Sequence, residues 1–177
     1  QLDLASSHRT SSLSDSDHAL EMPELPRSVS EVVSLLQKRF ARQLLFTDEA
    51  LRSAKNASFD DAYTTWRLLW SVGTVLYQLH FEREQESGSI KNTFKDKTGF
   101  EIAMSEGRQT KRGKKLRQIR QQTVNGKPIE FRAHVKYGGK RPREVLRVYY
   151  HADHEMRKLI IGHCGDHLEN YSSRKLK

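Results

Sequence analysis

The sequence is poor in the residues that would tie it to an oxidising compartment or to a bilayer. It has one cysteine, Cys164, so no internal disulfide can form, and the expectation is an intracellular, cytoplasmic protein. The longest apolar candidate, Leu68 to Leu79, is too short and too polar to span a membrane. The first residues lack a basic stretch followed by an apolar one, so no secretory signal is expected. The chain opens on Gln1 rather than Met, as a processed or trimmed chain does. The phosphate-cradling glycine loop, the dinucleotide fingerprint, the HExxH pair and the Gly-x-Ser-x-Gly elbow are all missing. Nucleotide hydrolysis, redox chemistry and serine hydrolysis are therefore unsupported, and neither a cofactor nor a resident metal is expected.

What is present is charge, unevenly spread. The 177 residues carry a formal net charge of +9, with 36% hydrophobic and 30% charged residues. Residues 1–88 have a balance of −4 and residues 89–177 a balance of +13. Such asymmetry points to a polyanion as partner of the basic half, with nucleic acid foremost. A membrane surface fits poorly, because the basic stretches lack the broad apolar face an interfacial helix needs.

Patterning divides the chain in three. Residues 1–26, rich in Ser, Asp and His and ending in Pro23 and Pro26, read as a flexible arm. Residues 27–88 read as helical. Ser28 and Glu31 have the capping-box spacing, and Val29, Val32, Val33, Leu36 and Phe40 follow at helical intervals. A short helix is expected after Thr47, ending near Asn56. A longer one is expected from Ser58, with Ala62, Trp66, Leu69, Trp70, Gly73, Leu76, Tyr77 and His80 on one stripe. Two tryptophans on one stripe invite a stacking box, but packing against the first helix is the plainer reading, and His80 reads as packed too. Ser87-Gly88-Ser89 marks a boundary, and residues 89–177 read as a basic α+β region. A short helix fits residues 93–106. Asn125-Gly126 is a turn, and Ile129, Phe131, Ala133, Val135 and Tyr137 alternate with polar residues as one half-buried strand. Val145 to Tyr150 and Lys158 to Cys164 complete an antiparallel meander, with His151 to Glu155 as a polar turn. The fold class expected is α+β: an N-terminal helical hairpin or small bundle, then a small antiparallel sheet.

Three groups of residues could carry chemistry. Gly107 to Arg120 contains Arg108, Lys111, Arg112, Lys114, Lys115, Arg117 and Arg120 and no acid. Cations at that density release counterions on meeting phosphates; an acidic groove on a protein partner is the other reading. Next, Arg132, His134 and Lys136 share one side of a strand, Arg147 and Tyr149 share a side of the following one, and His163 closes the third. If these sides coincide, they suit metal-independent RNA cleavage, which needs a base for the 2′-OH, an acid for the leaving oxygen and a cation for the phosphorane. The third is Gly162-His163-Cys164-Gly165-Asp166-His167-Leu168. It reads as a tight turn whose histidines bond the backbone, as a substrate or proton-transfer site through His163 and His167, or as a zinc site with His151, His154 and Cys164, whose spacing matches no strong template.

The order of these features resembles the RelE/HigB-like class of bacterial toxins. A basic helical lead-in precedes His134 on a strand, then Arg147-Val148-Tyr149-Tyr150, then Lys158-Leu159-Ile160-Ile161-Gly162-His163. The likeness covers roughly residues 107–170. It implies a small sheet that binds and cuts RNA, usually on the ribosome, within a toxin or phage-defence system with an antitoxin-like protein partner. It also implies that Arg147 is the phosphate-stabilising cation, that His134 or His163 is the acid or base, and that Lys136 and Arg132 hold the RNA backbone. The expectation is thus an RNA-binding protein and RelE-like endoribonuclease. The alternatives are a non-catalytic nucleic-acid-binding module of a larger assembly, and a protein-interaction or zinc-stabilised domain.

Overall fold

The computed structural model describes residues 25–82, 88–105, 107, 112–139 and 141–169. The arm expected over residues 1–26 falls almost wholly outside them, as do Arg108, Lys111 and the ending from Asn170. Helix α1 (Val29–Arg39) begins at the expected cap, where Ser28 Oγ accepts the Glu31 N–H and the Glu31 carboxylate accepts the Arg27 N–H. Helix α2 (Asp48–Lys55) is capped by Thr47, and α3 (Ala62–Ser71) by Asp61, which accepts from both the backbone N–H and the hydroxyl of Thr64. Ser58, expected as the start of α3, is held elsewhere. A π-helical turn, Val72–Leu76, joins α3 to α4 (Tyr77–Phe81). It contains Gly73, where a Cβ would fall 2.6 Å from the Phe40 ring, and it interrupts the regular helix expected along the single stripe. Helix α5 (Ile90–Thr98) ends on Gly99 in the left-handed conformation, φ 77°.

The strands are β1 (Leu44–Phe46), β2 (Glu101–Ala103), β3 (Gln121–Val124), β4 (Lys127–Glu130), β5 (Ala133–Tyr137), β6 (Leu146–Asp153) and β7 (Lys158–Gly165), with a short helix α6 (Lys114–Gln118) before β3. Five of them form one sheet in the order β1-β7-β6-β5-β2. The expected antiparallel meander is β5-β6-β7; β2 adds antiparallel to β5, and β1 adds parallel to β7. The fold is therefore α+β: N-terminal helices, then a mostly antiparallel sheet plus a hairpin. One apolar cluster runs from Val29 and Leu36 through Leu69, Phe94 and Ile102 to Val148 and Cys164, so it draws on both sides of the boundary expected at Ser87-Gly88-Ser89. No helix among the described residues is long and apolar enough to cross a membrane.

The strand expected over Ile129–Tyr137 is two strands. It breaks at Phe131 and Arg132, and β4 leaves the sheet to pair with β3 through the Asn125-Gly126 turn, both residues at positive φ (50° and 77°). Strand β6 also runs through the expected polar turn to Asp153. The hairpin covers the face of the sheet away from the main cluster, where Ile129 and Phe131 pack on Tyr149 and Ile160. A register shift admits it. Tyr149 pairs with His163 but Tyr150 pairs with Ile161, leaving Gly162 as the extra residue of a β-bulge. A Cβ on Gly162 would sit 2.6 Å from the Phe131 ring, and Gln122 Nε2 donates to the Gly162 carbonyl at 2.7 Å. Burying a phenylalanine this fully stabilises by about 1.5–3 kcal/mol. Gly162→Ala is expected to destabilise by about 1–3 kcal/mol through overpacking. Gly139→Ala, which meets nothing within 4 Å, should be close to neutral. Urea unfolding of both variants checks this, and equal midpoints would contradict the packing.

Candidate nucleic-acid interface

The alternation of side chains brings three of the expected catalytic residues into one row. His134 on β5 pairs with Tyr149 on β6, and Tyr149 with His163 on β7. Because the bulge turns both Gly162 and His163 toward the hairpin side, His163 joins that row. The His134 ring stacks on Tyr149 with centroids 4.4 Å apart, and His163 meets it edge-on at 5.7 Å. Arg120 places its guanidinium 5.6 Å from the same ring. The polar face expected here is in fact interior. Tyr149 is fully buried, and His134, Arg147 and His163 are 7%, 7% and 8% exposed. The Tyr149 ring occupies the middle of the row, so the two imidazoles do not face a common open space.

The arginines are likewise engaged. Arg147 Nη1 donates to the carbonyls of Tyr137 (2.6 Å) and Leu146 (2.9 Å), while its Nε has no hydrogen-bond partner among the described residues. Burial disfavours its charge. Arg120, expected among the phosphate contacts, is 2% exposed. It donates to the carbonyls of Leu116 (2.8 Å) and Glu169 (2.9 Å), tying α6 to the segment after β7. Its place in a basic run is corrected by its partners: two carbonyls and an aromatic face hold it inside. Arg132 and Lys136 are more accessible but bridge Glu130 (2.7 Å) and Glu101 (3.0 Å). Exposed bridges of this kind are weak and exchangeable.

The Gly-His-Cys-Gly-Asp-His stretch is a backbone knot. His163 Nε2 donates to the Asp166 carbonyl at 2.6 Å, and a His167 ring nitrogen bonds the Leu168 carbonyl. Since a carbonyl only accepts, His163 carries its proton on Nε2. The Cys164 N–H donates to Ser53 Oγ, and the Asp166 carboxylate accepts from the N–H and hydroxyl of Ser58, each at 2.8 Å. A Cβ on Gly165 would lie 2.9 Å from the Ser53 carbonyl oxygen, so β7 and α2 touch there. Residues 162–165 belong to β7, and the histidine-to-backbone bonds expected of a turn are made by His163 and His167. Among the described residues no three His, Cys, Asp or Glu side chains gather as a metal-binding group.

A dense set of open cations lies on α6 and its lead-in. Arg112, Lys114, Lys115 and Arg117 are exposed, and none forms an ion pair among the described residues. Buried Leu116 fixes the helix to the body, and Arg120 fixes its end. Beyond it opens a cleft of about 730 Å³ lined by residues including Asn56, Gln118, Ile119, Gln121, His163 and His167. The carboxamides of that cleft were not singled out from the sequence; the polar run Gln118–Gln122 between basic helix and hairpin turn is the signal that marks them. Comparison with known protein families, curated proteins and solved structures finds no match for this chain.

Burial pushes the His163 imidazole below its ordinary value of 6.5, and the bond to the Asp166 carbonyl opposes this only in part. The unfolded chain then takes the proton first. Stability from this group is whole above about pH 6.5 and falls as the pH drops through the folded-state value. His80, pushed down to about 4 by burial, acts with the same sign. The urea midpoint is expected to fall between pH 7 and pH 5. In His163→Gln, which keeps a donor for Asp166, the slope should be reduced but not abolished; a wild-type midpoint flat over that range would contradict the burial.

Proposed function

We propose that this chain binds RNA through the cations of α6 and its lead-in, as a binding module whose buried histidine–tyrosine row is structural. The observation that carries this reading is the contrast among cations. Arg132, Lys136, Lys127, Lys95 and Arg141 each bridge a carboxylate, while Arg112, Lys114, Lys115 and Arg117 stand exposed on a helix anchored by Leu116 and Arg120. Unpaired cations held in place in this way are what phosphates displace counterions from. The choice of RNA rests on the resemblance to RelE/HigB-like toxins.

One observation favours a second reading, RNA cleavage: His134, Tyr149 and His163 fall in one cross-strand row. Cleavage there would require the hairpin to lift and Arg147 to release its two carbonyls.

The fourfold alanine variant at Arg112, Lys114, Lys115 and Arg117 separates these outcomes. Binding of a labelled single-stranded RNA should weaken in the variant. The slope of log K against log salt should flatten by roughly 3, since each phosphate neutralised on a single strand contributes about −0.7. An unchanged slope would contradict the interface. RNA left intact after long incubation in EDTA supports the binding module, whereas cleavage that disappears in Arg147→Ala supports the second reading.

A further inference from the structure

The helical half carries an exposed aromatic surface that RNA binding does not use. Trp66 and Trp70, one turn apart on α3, stack with centroids 5.8 Å apart and an interplanar angle of 22°. Trp70 remains 38% exposed and Tyr63, two turns earlier, 72% exposed. Two arginines flank these rings. Arg39 of α1 sits 5.8 Å from Trp70, and Arg67 sits 5.9 Å from Tyr63. Neither forms an ion pair among the described residues. Tyr63, Trp66, Arg67 and Trp70 line a shallow open groove of about 450 Å³. Trp66 packs partly against the main core, as expected of the stripe, and Phe40 meets Trp70 at 5.0 Å, while Tyr63 and part of Trp70 stay open.

We infer that this groove is a docking site for an acidic peptide segment with an apolar anchor. Exposed Trp, Tyr and Arg together are the composition of interface hot spots, because large rigid rings bury much area at little entropic cost. The site is preformed: Gly73 admits the Phe40 ring, and Phe40 in turn braces Trp70. Charge selects the occupant. Two guanidiniums already aligned by ring faces present forks that match carboxylates. A long polyanion is disfavoured, since the described residues 25–82 that bear the groove are nearly neutral, with seven Lys+Arg against six Asp+Glu, and offer no extended basic track. A short peptide with two carboxylates around a Leu or Phe meets only the local positive pair. This inference does not rest on the RNA reading.

Trp66 and Trp70 are the chain's two tryptophans, so intrinsic fluorescence reports on this groove alone. The full chain is titrated with a tryptophan-free peptide of Asp, Glu, Leu and Phe, and separately with polyuridylate. A saturable change in emission below about 1 mM peptide is expected. Arg39→Ala/Arg67→Ala should weaken it about tenfold or more, and Trp70→Phe, which keeps the ring against Phe40 and leaves Trp66 as reporter, should weaken it severalfold. Absence of any change with the peptide overturns the inference, as does a change untouched by the double arginine variant. A stronger response to polyuridylate than to peptide also overturns it, by making the groove a nucleic-acid surface.

Discussion

The absence of a side chain at Gly162 is the constraint on which the rest of the second half depends. The bulge at that position removes a Cβ from under the Phe131 ring and leaves a carbonyl for Gln122. The ring can then seat on the sheet, and with it the β3–β4 hairpin closes the face opposite the helices. Tyr149, which the hairpin covers, is flanked by His134 and His163 in the buried row. The Phe131 N–H donates to the Arg120 carbonyl at 2.8 Å, and the Arg120 guanidinium binds the carbonyls of Leu116 and Glu169. The seat of one phenylalanine on a glycine thus lies directly beside the end of the basic helix.

Two kinds of positive charge result, and they are chemically distinct. Interior guanidiniums at Arg120 and Arg147 act as struts, each donating to two backbone carbonyls. Such groups are costly to bury and hold local geometry tightly. The exterior cations of α6 remain hydrated and carry no such penalty, and the proposed RNA contact draws on them. The helical half adds a third arrangement, arginines laid against aromatic faces.

Much of the secondary structure was legible because its signals are local. Ser28 with Glu31 and Asn125 with Gly126 act through bonds and dihedral angles within a few residues. The period-2 pattern also paired the sides of His134 and Tyr149, while His163 reached that side through the bulge at Gly162, which no local pattern announces. What escaped depends on distant partners. The parallel pairing of β1 with β7 joins Leu44 to Leu159 with nothing local to announce it. Ile129 and Phe131 share a parity with Ala133 and Val135, yet serve the second apolar cluster rather than the first, because the chain leaves the sheet at Arg132. Alternation tells which residues share a side but not what covers that side, so a buried row read as an open polar face. Gly162 and Gly165 are both sites of close approach, a contact set by residues far away in sequence.

Polyanions are expected to meet the outer helix while the histidine–tyrosine row stays closed. NMR titration of the full chain with a short single-stranded RNA tests this most directly. The expected result is a shift in the backbone signals of Arg112, Lys114, Lys115 and Arg117, with the imidazole signals of His134 and His163 unmoved. Large shifts at those two imidazoles, with the α6 signals unchanged, would contradict it.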